Sequence, residues 1–432
     1  MQAQAKDLNQ MFLVFDPMEP LTGFQLKDYY IDREKNPTNR LKNFLLSDPM
    51  KNDKILFAGH RGCGKSTELN KLSEDIDLNR DLFIVHYSVE KVLDPLDIDY
   101  IDILFSLEAM IYQSARTRNI RLKDDLLKYI LEFWIGRTSE VGFIEREPKR
   151  PTEETLDSFY KELVGSQGKL RIEPSTREFI RKNIAQRISN IIEHINLLST
   201  AIRLESKKRN ILAIIDGLDK PDLRLAQEVF YHRATSITQP SCKIIYTIPI
   251  ALLYQSEFRS IERNFHHKFI LPNIKIYDKT GGLYKDGYEK LKSLVNKRIS
   301  PELIEEESLE VLISKSGGVL REITLLVRIA CNIAKSQGRV KIDLESSKQA
   351  ISEIRNDYRK SLRKEHYQEL IKLHQTKDIR EIHTKLPKEE DIESLVLLEL
   401  LHNLSVLEYS NDEDWWDIHP IVLDLIKEGN GN

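Results

Sequence analysis

The chain has 432 residues, 31% of them charged and 41% hydrophobic, with a formal net charge of -3. That composition fits a soluble globular protein with a sizeable core; it excludes a disordered chain and a global electrostatic pull toward nucleic acid or anionic lipid. Cys63, Cys242 and Cys331 are too few and too scattered for a disulfide frame or a zinc site, which points to reduced thiols in a cytoplasmic protein.

The N-terminal run "MQAQAKDLNQMFLVFDP" carries a five-residue apolar patch closed by Asp-Pro, unlike a signal peptide. No apolar run approaches the ~18 residues of a membrane span, so no membrane partner is expected. Residues 1–50 form a mixed segment containing "YYIDREKNPTNRLKNFLL". Over residues 51–275, strand-like runs ("KILFAGH", "LFIVHYSV", "NILAIIDGLD", "KIIYTIPI", "HKFILPNIKI") alternate with helical patterns. Such alternation predicts a parallel sheet covered on both faces, and runs as apolar as "ILAII" fit burial on both sides.

A helical insertion over about residues 117–209 separates the second and third strands. Its clearest part places Ile180, Ile184, Ile188, Ile191, Ile195, Leu198 and Ile202 on one stripe, with "STRE" at 175–178 reading as a capping box of Ser175 and Glu178. Unbroken over 177–207, this helix is roughly 45 Å long. It is either an insertion packed on the sheet or a partner-binding element. Residues 276–380 are helical and rich in Lys, Arg and Glu; 381–432 read as helix, hairpin and closing helix, the outline of a small winged helix.

The chemistry concentrates at "ILFAGHRGCGKSTEL". Gly59, His60, Arg61, Gly62, Cys63, Gly64, Lys65 and Ser66 fill G-x-x-x-x-G-K-[ST], with a strand before it and Thr67 and a helix after it. Glycines let backbone N–H groups close on phosphates, Lys65 brings a cation to the outer phosphates, and the helix start adds its positive end. Ser66 is a candidate Mg²⁺ ligand. Cys63 reads as a small residue inside the loop or, alternatively, as a redox-sensitive thiol. The strand "NILAIID" ends in Asp216, expected to hold Mg²⁺ in the same pocket because this cation prefers oxygen ligands. Asp219 either orients an attacking water or caps a helix beginning near Pro221.

The order of phosphate loop, "IIDGLDK", "KIIYTIP", helical region and C-terminal winged helix resembles the STAND class of P-loop NTPases, regulatory relatives of the AAA+ family. The resemblance spans most of residues 25–425. It implies an α/β fold: a P-loop NTPase parallel sheet with a helical insertion, an α-helical lid over 276–380 and a winged helix over 381–432, with residues 1–50 closing over the nucleotide. It implies ATP/ADP and Mg²⁺ as ligands and assigns further residues. Arg33, in "YYIDRE", would lie by the base. Thr247 would read the terminal phosphate, or is only a β-branched strand residue. Arg321, in "SGGVLRE", would be the lid arginine, although the family's proline is missing there; the alternative is a first-turn surface arginine. His419, in "WWDIHPIV", would contact the β-phosphate of ADP, or is structural. Gly217 stands where fast AAA+ ATPases carry a catalytic glutamate, so turnover of ATP to ADP and phosphate is expected to be slow unless Asp219 substitutes.

The implied function is a slowly hydrolysing switch that gates assembly or signalling of a partner protein, in prokaryotic defence or regulation. The competing readings are a DNA-associated AAA+ ATPase of origin-recognition or transposition-regulator type, and a scaffold that binds nucleotide for stability. From Glu389 onward there are twelve acids and one Lys or Arg, Lys427, which disfavours a DNA-reading winged helix. Basic runs at 146–150, 203–209 and 359–364 are short enough to be solvated helix faces. The expected partner is a separate sensor or effector chain, or a homo-oligomer.

Overall fold

The five apolar runs become β1 (Lys54–Gly59), β2 (Leu82–Ser88), β3 (Asn210–Asp216), β4 (Lys243–Pro249) and β5 (His267–Ile270), one sheet in the order β2-β3-β4-β1-β5. Every pairing is parallel, with β4 between β1 and β3. The computed structural model describes residues 4–33, 36–94, 97–138, 156, 178, 181–182, 184–255, 258–380, 392–410 and 413–429. β1, β3 and β4 are buried at every residue, as their unbroken apolar runs require. β5 is a short edge strand that shows His267 and Lys268 to solvent, which discourages further strand pairing.

Strand side chains alternate between faces, and two cores follow from that period. Leu56, Ala58, Ile211, Ala213, Ile244 and Tyr246 face helices Tyr100–Thr117 and Ile188–Ser206. Ile55, Phe57, Leu212, Ile214 and Ile245 face helices Pro37–Ser47 and Lys65–Ser73. The expected long insertion helix is interrupted: a turn at Gln186 and Arg187 precedes a helix that runs only from Ile188 to Ser206. Within it Ile191, Ile195, Leu198 and Ile202 are fully buried against the sheet side, so this part is a packed layer. Ser175, Ile180 and the run 146–150 lie outside the described residues.

A third core gathers the helices Lys285–Asn296, Glu306–Lys315, Leu320–Ser336 and Leu344–Ser361, and it also takes in the N-terminal helix Leu8–Val14 through Leu8, Met11 and the following Phe15. The first 50 residues therefore bridge two bodies, with Leu8–Val14 on the helical core and Pro37–Ser47 on the sheet. At the C-terminal end, helix Ile392–His402 leads into the antiparallel pair β6 (Val406–Ser410) and β7 (Asp414–Ile418), and helix Pro420–Gly429 closes the segment. This is the expected helix–hairpin–helix order. Val319, Leu404, Leu407, Tyr409 and Trp415 seal the hairpin to the start of helix Leu320–Ser336.

Under the sheet, Lys243 is fully buried and its Nζ lies 2.7 Å from Asp53 Oδ2, while the half-exposed Lys51 sits 3.2 Å from the other oxygen. Asp53→Ala leaves Lys243 as an uncompensated buried charge and is expected to destabilise the fold by about 3–5 kcal/mol, whereas Lys51→Ala changes it by less than about 1 kcal/mol. Urea denaturation of both variants checks the contrast.

Candidate functional site

The carboxyl ends of β1 and β3 lie either side of β4 and open a crevice, the position where open α/β sheets take ligands. The loop from Gly59 to Lys65 crosses it. Gly62 and Gly64 take φ values of +79° and +104°, which side chains disfavour. Both are also closely approached: a Cβ on Gly62 would lie 2.5 Å from Arg321 Cβ, and one on Gly64 would lie 2.9 Å from Arg33 Nη2. The helical region and the N-terminal segment therefore close on the loop from two sides. The cleft between them measures about 280 Å³ and combines apolar Val14, Ile31, Leu294 and Leu320 with Arg61, Lys65, Ser66, Thr67 and Asp219. An apolar recess joined to a few convergent polar groups is the usual make-up of a small-molecule site.

Lys65 is buried, and its ammonium donates to the carbonyls of Gly59 (2.7 Å) and His60 (2.9 Å) and pairs with Asp219 Oδ2 at 2.8 Å. Burial works against the ammonium, but Asp219 more than offsets it and holds the Lys65 pKa above the usual lysine value. Burial likewise pushes Asp219 up, yet the Lys65 charge brings it below the usual carboxylate value. Asp216 goes the other way: burial and the Asp219 charge raise it, against a hydrogen bond from Ser66. Asp216 does not itself line the cleft, but Ser66, which does, hydrogen-bonds to its carboxyl; with Asp219 beside Lys65, these are the hard oxygen donors that Mg²⁺ prefers.

The structure separates the sequence candidates. Arg33 braces the loop itself: Nη1 donates to Pro272 O at 2.5 Å, Nη2 to the Cys63 carbonyl, and Nε lies 3.6 Å from Glu68 Oε1. Arg321 lines the cleft, donating its backbone N–H to Gly62 O (3.0 Å) and Nε to Pro17 O (3.1 Å). Thr67 Oγ1 accepts the Leu21 N–H at 3.2 Å, and Cys63 is a fully buried small residue within the loop. Thr247 does not line the cleft; its buried hydroxyl accepts the Leu218 N–H at 3.0 Å and fixes the turn after β3. Of the two readings of Asp219, helix capping is excluded, because the helix Leu223–Gln227 is capped by Asp222, which accepts the Arg224 N–H at 2.7 Å. Gly217 has φ +88°, and a Cβ there would lie 3.1 Å from Ser88 Oγ, so any side chain at this turn would be strained.

The two histidines exchange expectations. His419 is buried away from the cleft, its ring tilted on Tyr358 at 5.2 Å and its Nδ1 accepting the Ile421 N–H at 3.3 Å. Burial and the Lys315 charge push its pKa down to about 3. His60 turns its ring out of the cleft, and Nε2 accepts the backbone N–H of Glu408 in β6 at 2.8 Å. Sequence reasoning also missed Glu68. Its buried carboxylate takes hydrogen bonds from Tyr30 (3.1 Å), Asn36 (2.8 Å) and Thr38 (3.3 Å), tying the N-terminal segment to the helix after the loop. The signal was an acid on the stripe Lys65, Glu68, Leu69, Leu72, all at inward spacing.

No family model and no curated protein matches the chain. Among solved structures, it is similar to the ORC2 protein of Aeropyrum pernix, solved in ADPNP–ADP complexes (13% identity, 97% of this chain and 98% of that one, TM-score 0.45). It is also similar to a Walker-type ATPase of Pyrococcus abyssi (14%, 96% and 99%, TM-score 0.46). A third such structure is the ORC1 protein of Aeropyrum pernix in complex with DNA (12%, 93% and 94%, TM-score 0.41).

Glu408 offers a pH test of the site's outer edge. Its Oε2 accepts the Tyr254 hydroxyl at 2.6 Å, and burial raises its pKa to about 7 despite that bond. The folded state then holds a proton that the unfolded chain releases near 4.5, so stability falls as pH rises from about 4.5 to about 7 and levels off above. Glu408→Gln is expected to remove on the order of 1–3 kcal/mol of that slope, read from urea midpoints at pH 5, 6 and 8.

Proposed function

We propose that the chain is an ATP- and Mg²⁺-binding P-loop switch of the STAND and AAA+ kind, turning ATP into ADP and phosphate slowly. The observation that carries this reading is the buried Lys65–Asp219–Asp216 cluster beneath a loop enclosed by Arg321 and Arg33. In this reading the incoming phosphates replace Asp219 as partners of Lys65, and the loop N–H groups cradle them. Ser66 and Asp216 would hold Mg²⁺, which when bound neutralises phosphate charge. Asp219, freed from Lys65, is the acid left to orient water, because the residue after Asp216 is a glycine without a carboxylate. One displaced acid replacing a dedicated base supports slow turnover. The predominantly acidic residues from Glu389 onward support a protein partner or a second copy of the chain.

A second reading, a DNA-associated ATPase, is favoured by one observation: in the run 359–364, Lys360 and Arg363 are 78% and 64% exposed at a helix junction, each beside an acid, Asp357 and Glu365. It predicts duplex binding that weakens steeply with salt, and a flat salt response counts against it.

Lys65→Ala is expected to weaken ATP and ADP binding at least about tenfold, since charge-assisted hydrogen bonds to phosphate are lost. Mass spectrometry of the co-purified nucleotide, with the oligomeric state under ADP and a non-hydrolysable ATP analogue, checks the switch. An assembly state that ignores nucleotide would refute it.

A further inference from the structure

The hydrogen bond between the phosphate loop and the C-terminal hairpin joins residues 348 positions apart, inside a buried contact. Glu408 is held at three points by three different elements. Its N–H goes to His60 Nε2 (2.8 Å), its carbonyl takes Asn273 Nδ2 (3.4 Å) from the segment after β5, and its carboxyl takes the Tyr254 hydroxyl (2.6 Å) from the turn after β4. Across the hairpin, Trp416 pairs with Glu408 and donates Nε1–H to the same Tyr254 oxygen at 3.2 Å.

On the loop side, the backbone carbonyl of His60 is one of the two that hold the Lys65 ammonium. One residue thus faces both ways: its carbonyl sets the phosphate-seeking lysine, and its ring is fixed by the hairpin. We propose that His60 is a positioning residue that couples the C-terminal hairpin to the phosphate loop, so that hairpin docking and nucleotide binding strengthen each other. This rests on the nucleotide-binding reading above.

The coupling follows from the acceptor role. Burial and the neighbouring Lys65 charge press the His60 pKa down to about 3, so the ring is neutral and Nε2 accepts throughout the physiological range. With the ring anchored, the loop meets its ligand already ordered; with the anchor gone, binding must order it. Because coupling is reciprocal, bound nucleotide must tighten the hairpin by the same factor.

The test uses the full chain with His60→Leu, which removes the acceptor, His60→Gln, which supplies another, and Tyr254→Phe, which loosens Glu408 without touching the loop. Amide hydrogen exchange over residues 406–410 and ADP affinity by equilibrium dialysis are measured for each. His60→Leu should speed exchange and weaken ADP binding by about threefold to tenfold, and His60→Gln should recover both. Saturating ADP should slow exchange of these amides in the wild type and not in His60→Leu. Tyr254→Phe should weaken ADP binding in the same direction, and it serves alone if His60→Leu does not fold. Unchanged ADP affinity in His60→Leu or Tyr254→Phe, or no recovery in His60→Gln, overturns the coupling. A wild-type chain that binds no ADP sinks the nucleotide reading and the coupling with it, while exchange in nucleotide-free His60→Leu still decides whether His60 docks the hairpin.

Discussion

A buried ammonium must be surrounded by acceptors, and Lys65 meets that requirement with two carbonyls of its own loop and the carboxylate of Asp219. That demand organises the centre of the molecule. It ties the end of β1 to the turn after β3 across the intervening β4, and it fixes the loop in a shape that only glycine accepts at positions 62 and 64. The two glycines in turn admit Arg321 from the helical region and Arg33 from the N-terminal segment, so three parts of the chain meet on one short loop.

A second buried charge extends the arrangement. Glu68, one helical turn beyond Lys65, has Arg33, Tyr30, Asn36 and Thr38 around it, all from the N-terminal segment. The helix after the loop thus carries a cation and an anion, each satisfied by a different part of the chain. Removing either partner set would strand a charge in the interior.

The parts that were legible in the sequence are those where one local rule decides the outcome. The apolar runs ending at Gly59 and Asp216 could only be buried parallel strands, and the spacing of Gly59, Gly64, Lys65 and Ser66 left little freedom for the loop. What was not legible depended on partners distant in the chain. Thr247 reads as a strand residue or a sensor until Leu218 is seen to occupy its hydroxyl. His419 and His60 carry the same side chain, and nothing local says that the loop histidine would meet the hairpin while the hairpin histidine stays in the core. The break at Gln186 and Arg187 was hidden because the isoleucine stripe runs straight through it.

The bridging course of the first 50 residues has a mechanical consequence. The sheet and the helical body are joined twice by covalent chain, once through residues 16–36 and once through the segment that leaves β5 toward helix Lys285–Asn296. A single tether lets two bodies drift and tumble. Two tethers restrict that freedom, and the cleft between the bodies keeps Arg321 on one side and Arg33 on the other.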